Sequence, residues 1–181
     1  MVAALSVGVA LSSCSSGAHA PTHSTSTTES SPTASQSPAT TSPPPAPAAV
    51  GQGVTVQGIS LTLSKIADPL QLGPNTELNP GQRAIGLDVI ATNTGAQAQS
   101  QDVSDGLSVF NTHGVAYEAN TAAKLNGVPN FPSGSVDMKP GESVSGWLEV
   151  QLPTSDAVST VVITLVGPSS QNDSATWAVT S

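Results

Sequence analysis

The chain has 181 residues, a net charge of −8 and only 9% charged residues, and its basic side chains are Lys65, Arg83, Lys124 and Lys139. A nucleic-acid binder needs a basic footprint to displace counterions from phosphates, so no nucleic acid is expected as a partner. The same acidity disfavours adsorption to anionic lipid through charge alone, and no apolar run is long enough for a transmembrane helix.

Residues 1–13, MVAALSVGVALSS, read as the apolar core of a signal peptide running into small residues. No Lys or Arg precedes that core, which points to a translation start upstream of Met1. Cys14 is the one cysteine. In an exported chain a lone cysteine is a free thiol, an intermolecular bridge or a modified residue. Leu11-Ser12-Ser13-Cys14 resembles the lipobox of bacterial lipoproteins: an aliphatic residue, two small ones, then cysteine. The resemblance implies that the Cys14 thiol receives a diacylglyceryl group and that Cys14 becomes the first residue of the mature chain. Each buried methylene contributes about 0.8 kcal/mol, so two or three acyl chains would anchor the protein firmly to the outer face of the cell membrane. The alternative is an ordinary signal peptide cut near Ala18 or Ala20, which leaves a secreted protein without an anchor.

Residues 14–50 follow as a linker made almost entirely of Ser, Thr, Pro and Ala, with Glu29 as its one charge. Such a segment buries too little apolar surface to offset the entropy of ordering. It is expected to be a disordered stalk reaching about 35 Å as a coil, with a composition like that of O-glycosylated stalks. His19 and His23 stand four apart, but the surrounding Pro and Ser forbid the helix that would make them a metal pair.

From residue 51 to 181 the sequence reads as strands separated by turns. Val54 and Val56 alternate, then Ile59, Leu61 and Leu63 alternate on a shifted parity, with the shift at Gly58 as a bulge or turn. Ile85, Leu87, Val89 and Ala91 share one face, and Asn93-Thr94-Gly95 closes that strand. Residues 107–109 and 115–117 flank the turn Asn111-Thr112-His113-Gly114. Val144, Leu148, Val150 and Leu152 share a face. Val161, Ile163 and Leu165, then Ala175, Trp177 and Val179, complete the pattern. Helical periodicity is absent. About seven short strands imply an all-β, antiparallel β-sandwich.

Asn93-Thr94-Gly95, then Gly114-x-x-Tyr117, then KPGESVSGWLEVQLP at residues 139–153, together resemble a bacterial domain of unknown function with an immunoglobulin-like fold. It occurs on actinobacterial and Firmicute lipoproteins, and a mycobacterial secreted immunogenic protein is among its members. The resemblance spans about residues 51–167. Val150 stands where members usually carry an aromatic residue, which implies a lighter core. The family has no established general activity, so the resemblance implies a fold and leaves function open.

Catalytic chemistry finds little support. His113 sits at an expected hairpin tip with no nucleophile and orienting group patterned around it. Gly141-Glu142-Ser143 lacks the closing glycine of a nucleophile elbow. Asp102 and Asp105 share a loop and read as solvated turn acids, with weak calcium binding as the alternative. His113 and Met138 are too few for a copper carrier. Asn172-Asp173-Ser174 matches an N-glycosylation acceptor that has no meaning in a bacterial setting. No catalytic residue, metal or cofactor is expected.

Two aromatic residues suggest a recognition surface. Trp147 has the parity of Ser145, Glu149 and Gln151, opposite to the apolar set, which places its ring on the outer face. Phe131, between Pro129 and Pro132 on a long loop, is either a stiff apolar probe or a cap that folds back onto the sandwich. The sequence therefore suggests an envelope lipoprotein whose non-catalytic head, through Trp147 and Phe131, binds an envelope or host protein or glycan. A structural or accessory subunit of a membrane or cell-wall complex, or an unanchored secreted protein, are the alternatives.

Overall fold

The computed structural model describes residues 45–74, 76–120, 125–166 and 172–180. Cys14, the lipobox residues Leu11, Ser12 and Ser13, His19, His23, the linker up to residue 44 and Lys124 lie outside the described residues.

The chain forms β1 (Ala48–Ala49), β2 (Gly53–Val56), β3 (Ile59–Ala67), β4 (Gln82–Asn93), β5 (Gln99–Gln101), β6 (Leu107–Asn111), β7 (Ala116–Glu118), β8 (Val136–Met138), β9 (Ser143–Pro153), β10 (Val158–Val166) and β11 (Asn172–Ala178). A five-stranded sheet, β1-β11-β10-β6-β7, and a four-stranded sheet, β2-β3-β4-β9, form a β-sandwich; β5 and β8 pair separately. Among the described strands, β1 alone runs parallel to its neighbour, pairing Ala48 with Trp177. The strands beyond the expected seven come from very short pairings, β1, β5 and β8, and from the split of the first strand into β2 and β3. That split is a hairpin: Gln57 and Gly58 both have positive φ, at 51° and 78°, as a two-residue turn matching strand twist requires.

Period-two alternation sets the core. Ile85, Leu87, Val89 and Ala91 of β4 and Leu148, Val150 and Leu152 of β9 face inward. They meet Leu107 and Val109 of β6, Val161, Ile163 and Leu165 of β10, and Ala175 and Trp177 of β11. Trp177 is fully buried, and its indole Nε1 donates to the Gln52 carbonyl at 2.9 Å. A buried tryptophan with a satisfied N–H contributes area without a polar penalty.

Phe131 corrects one sequence expectation. It is 4% exposed and belongs to the core, so it is a cap and not a surface probe. Its N–H donates to the Trp147 carbonyl at 2.8 Å, and the Trp147 N–H donates to the Pro129 carbonyl at 2.9 Å. Residues 129–131 thus cover the free edge of β9 as an extra parallel bridge, Asn130 to Trp147. Gly146 makes this approach possible, because a Cβ there would collide with the backbone of Phe131 and Asn130. Covering an edge in this way hides unpaired backbone groups that would otherwise recruit another strand.

Candidate functional site

Ionisable groups gather at the end of the sandwich near the β9–β10 turn. Arg83 donates Nε and Nη2 to the two carboxylate oxygens of Asp68, at 2.8 and 3.0 Å, and also reaches the carbonyls of Pro153 and Asp156 at 2.7 Å. The Asp156 carboxylate accepts from the Tyr117 hydroxyl and from the Asn111 amide, each at 2.6 Å. These bonds, that from Tyr117 first, hold the Asp156 carboxyl below its ordinary range. The same bond raises the Tyr117 phenol. Every member is engaged by another, so the cluster ties the β6–β7 hairpin to the β9–β10 turn.

A pH dependence follows. Asp156 has a depressed folded-state pKa, so its stabilisation is present above the unfolded value of 3.8 and is lost as pH falls through the folded value. Denaturation midpoints at pH 6 and pH 2.5 are expected to differ less for Tyr117→Phe than for the native chain. Equal differences in the two proteins would show that the phenol does not stabilise the charged carboxylate.

The other sequence candidates are dispersed. His113 is exposed at the β6–β7 turn, where its N–H donates to Asn111 Oδ1 at 3.0 Å. Met138 is buried on β8. Asp102 Oδ1 accepts from Ser104 Oγ and the Asp105 N–H at 2.9 and 3.0 Å, which makes it a turn brace. Among the described residues, no three His, Cys, Asp or Glu side chains come together as metal ligands.

The outward face of the four-stranded sheet is different. Trp147 lies on it and is half-buried, as its parity requires. Its Cε3 lies 2.9 Å, and a Leu70 methyl 2.7 Å, from where a Cβ on Gly86 would sit. The missing side chain at Gly86 therefore lets Leu70 and one edge of the indole settle onto the sheet. Farther along this face Thr55, Ser143 and Ser145 are exposed and Ser60, Thr62, Ile90 and Thr92 are half-buried. The register places Thr55, Ser60, Thr92 and Ser143 in one row and Gly53, Thr62, Ile90 and Ser145 in the next. Lys65, Asp88 and Trp147 form the third.

Hydrogen bonding on this face is incomplete. Ser64 Oγ donates to Asp88, and Thr92 and Ser143 bond each other at 2.8 Å. Among the described residues, the hydroxyls of Thr55, Ser60, Thr62 and Ser145 and the Trp147 indole N–H engage no protein group. Gly53 leaves Ser60 and Thr62 uncovered: a Cβ there would sit 3.3 and 3.2 Å from their hydroxyl oxygens. Sequence reading found Trp147 by parity and missed the hydroxyl rows, although the alternation of Ser60, Thr62 and Ser64 with the apolar residues of β3 carries the signal.

Glu149 shares this outward parity yet is 1% exposed: it stands opposite Gly86, where Leu70 settles onto the sheet, and its carbonyl accepts from the Asn120 N–H at 2.7 Å. Among the described residues, neither carboxylate oxygen closes a well-formed hydrogen bond. Burial pushes its pKa up, and the nearby amides of Gln151 and Asn120 offset this only in part.

Residues 48–171 match the family described as "Domain of unknown function (DUF4352)". The chain belongs to the DUF4352 family. No curated protein matches the sequence. The DUF4352 sandwich is similar to the secreted protein MPT63 of Mycobacterium tuberculosis, with a TM-score of 0.51 and 12% identity over 76% of this chain and 100% of that one. It is also similar to the candidate lipoprotein ycdA of Bacillus subtilis, with a TM-score of 0.50 and 10% identity over 70% of this chain. The match spans 38% of the ycdA chain. At these identities the likeness establishes the β-sandwich fold and nothing about ligands.

Proposed function

We propose that this DUF4352 protein is an exported envelope lipoprotein, anchored at Cys14, whose β-sandwich is a non-catalytic recognition head. The observation that carries the recognition role is the set of unengaged hydroxyls and the indole N–H on the outward face of the four-stranded sheet. Water-exposed sheet faces are usually studded with charge, whereas the centres of recognition surfaces are depleted in it and enriched in aromatic residues. Here the first two rows contain no charged side chain, and the tryptophan borders them. Anchoring is supported by the lipobox resemblance of Leu11 to Cys14. In the native host, Cys14→Ala is expected to move the protein from the detergent phase to the aqueous phase. Unchanged partitioning would remove the anchor from this reading.

A second observation favours the accessory alternative. On the outward face of the five-stranded sheet, Phe110 lies diagonally across from Val162, with Thr160 and Ala116 opposite Phe110. That more apolar centre suits a permanent protein neighbour. A photo-crosslinking residue at exposed Ser145 is compared in intact cells with one at exposed Ala116. Capture from Ser145 alone supports recognition through the four-stranded face. Stoichiometric capture of one neighbour from Ala116 alone supports the accessory role.

A further inference from the structure

We infer that the four-stranded face binds an extended, uncharged polysaccharide laid across its strands beside Trp147; this rests on the recognition reading above. Three features identify the ligand class. Adjacent strands stand about 4.8 Å apart, so Thr55, Ser60, Thr92 and Ser143 present hydroxyls along a row of about 14 Å. That spacing approaches the repeat of a pyranose chain, whose own hydroxyls both donate and accept. A serine or threonine hydroxyl can answer either role, because it carries one donor and two acceptor lone pairs.

The second feature is charge. Lys65 and Asp88, at the margin of the face, stand opposite each other in the register. The hydroxyl rows themselves are neutral. A chain of net charge −8 would repel an anionic polymer and offers no basic row to hold one. The third feature is the indole. Trp147 combines an apolar ring with an N–H that no described group engages. Sugar rings have apolar C–H faces and polar rims, which is the pairing such a side chain fits. Ile90, half-buried in the middle row, supplies a further apolar contact.

The test is native affinity electrophoresis of the full chain through gels containing laminarin, amylose, galactomannan or, as the charged comparison, polygalacturonate. The expected result is retardation by at least one of the three neutral polymers and none by polygalacturonate. Thr62→Val with Ser145→Ala removes two hydroxyls while leaving the core residues untouched, and is expected to weaken binding about tenfold, since each lost hydroxyl forfeits a hydrogen bond to the sugar. Thermal unfolding of the double variant confirms that it remains folded. The inference is overturned if no neutral polymer retards the chain, if polygalacturonate alone does, or if the double variant is retarded as strongly as the native chain. Failure here with continued capture of a protein through Ser145 would leave the recognition face standing and make its partner a protein. Failure of both would remove the face itself.

Discussion

Phe131→Ala is expected to lower the unfolding free energy by about 3–5 kcal/mol, the usual loss when a buried aromatic residue is truncated in a core. The ring is 4% exposed and packs within the sandwich. Its removal also frees residues 129–131, which cover the edge of β9 through the two backbone bonds at Trp147. Gly146→Val should act on the same contact from the other side, because any Cβ there meets the Phe131 backbone. Urea denaturation of both variants measures the effect. A Phe131→Ala protein of unchanged midpoint that has lost a binding partner would return Phe131 to the surface role first expected of it.

The second large effect concerns Glu149. Its carboxyl is buried, closes no well-formed hydrogen bond among the described residues, and has a raised pKa, chiefly through desolvation. A raised folded-state pKa means that this group imposes no penalty below its unfolded value of 4.5. As pH rises past that value, the unfolded chain releases the proton first and the native state loses ground until its own pKa is passed. Glu149→Gln carries no such proton. It is expected to match the native chain at pH 4 and to exceed it at pH 7.5 by roughly 1–3 kcal/mol, the cost of an unsatisfied buried polar group. Denaturation curves at the two pH values decide it. Parallel losses in the two proteins would show that Glu149 is solvated in solution.

The fate of each residue shows where sequence reading succeeds. In β4, Ile85, Leu87, Val89 and Ala91 point inward because one buried face and a period of two leave no alternative register. Trp147 is placed outward by the same rule. Phe131 escapes it, because a residue between prolines on a loop has no periodicity to read. The clue lay instead at Gly146, a glycine at an inward position of a long strand, which signals that another backbone approaches closely. Glu149 obeys the parity but not the burial that parity usually implies, because Leu70, packed at Gly86 opposite it, covers this part of the sheet. The pairings of β5 with β8 and of β1 with β11 involve two or three residues each. They are set by loop geometry, too short for an alternation to register.

The recognition face is tested most directly by placing lysine singly at Thr62 and Ser145 on the four-stranded sheet and at Ala116 on the five-stranded one. Each is combined with Cys14→Ala, so that lipid plays no part, and the retained fraction on isolated cell envelopes is measured. The expected result is that the Cys14→Ala protein is retained, that lysine at Thr62 or Ser145 releases it, and that lysine at Ala116 does not. Retention that survives both changes on the four-stranded face, or that is lost only with lysine at Ala116, would contradict the assignment of recognition to that face.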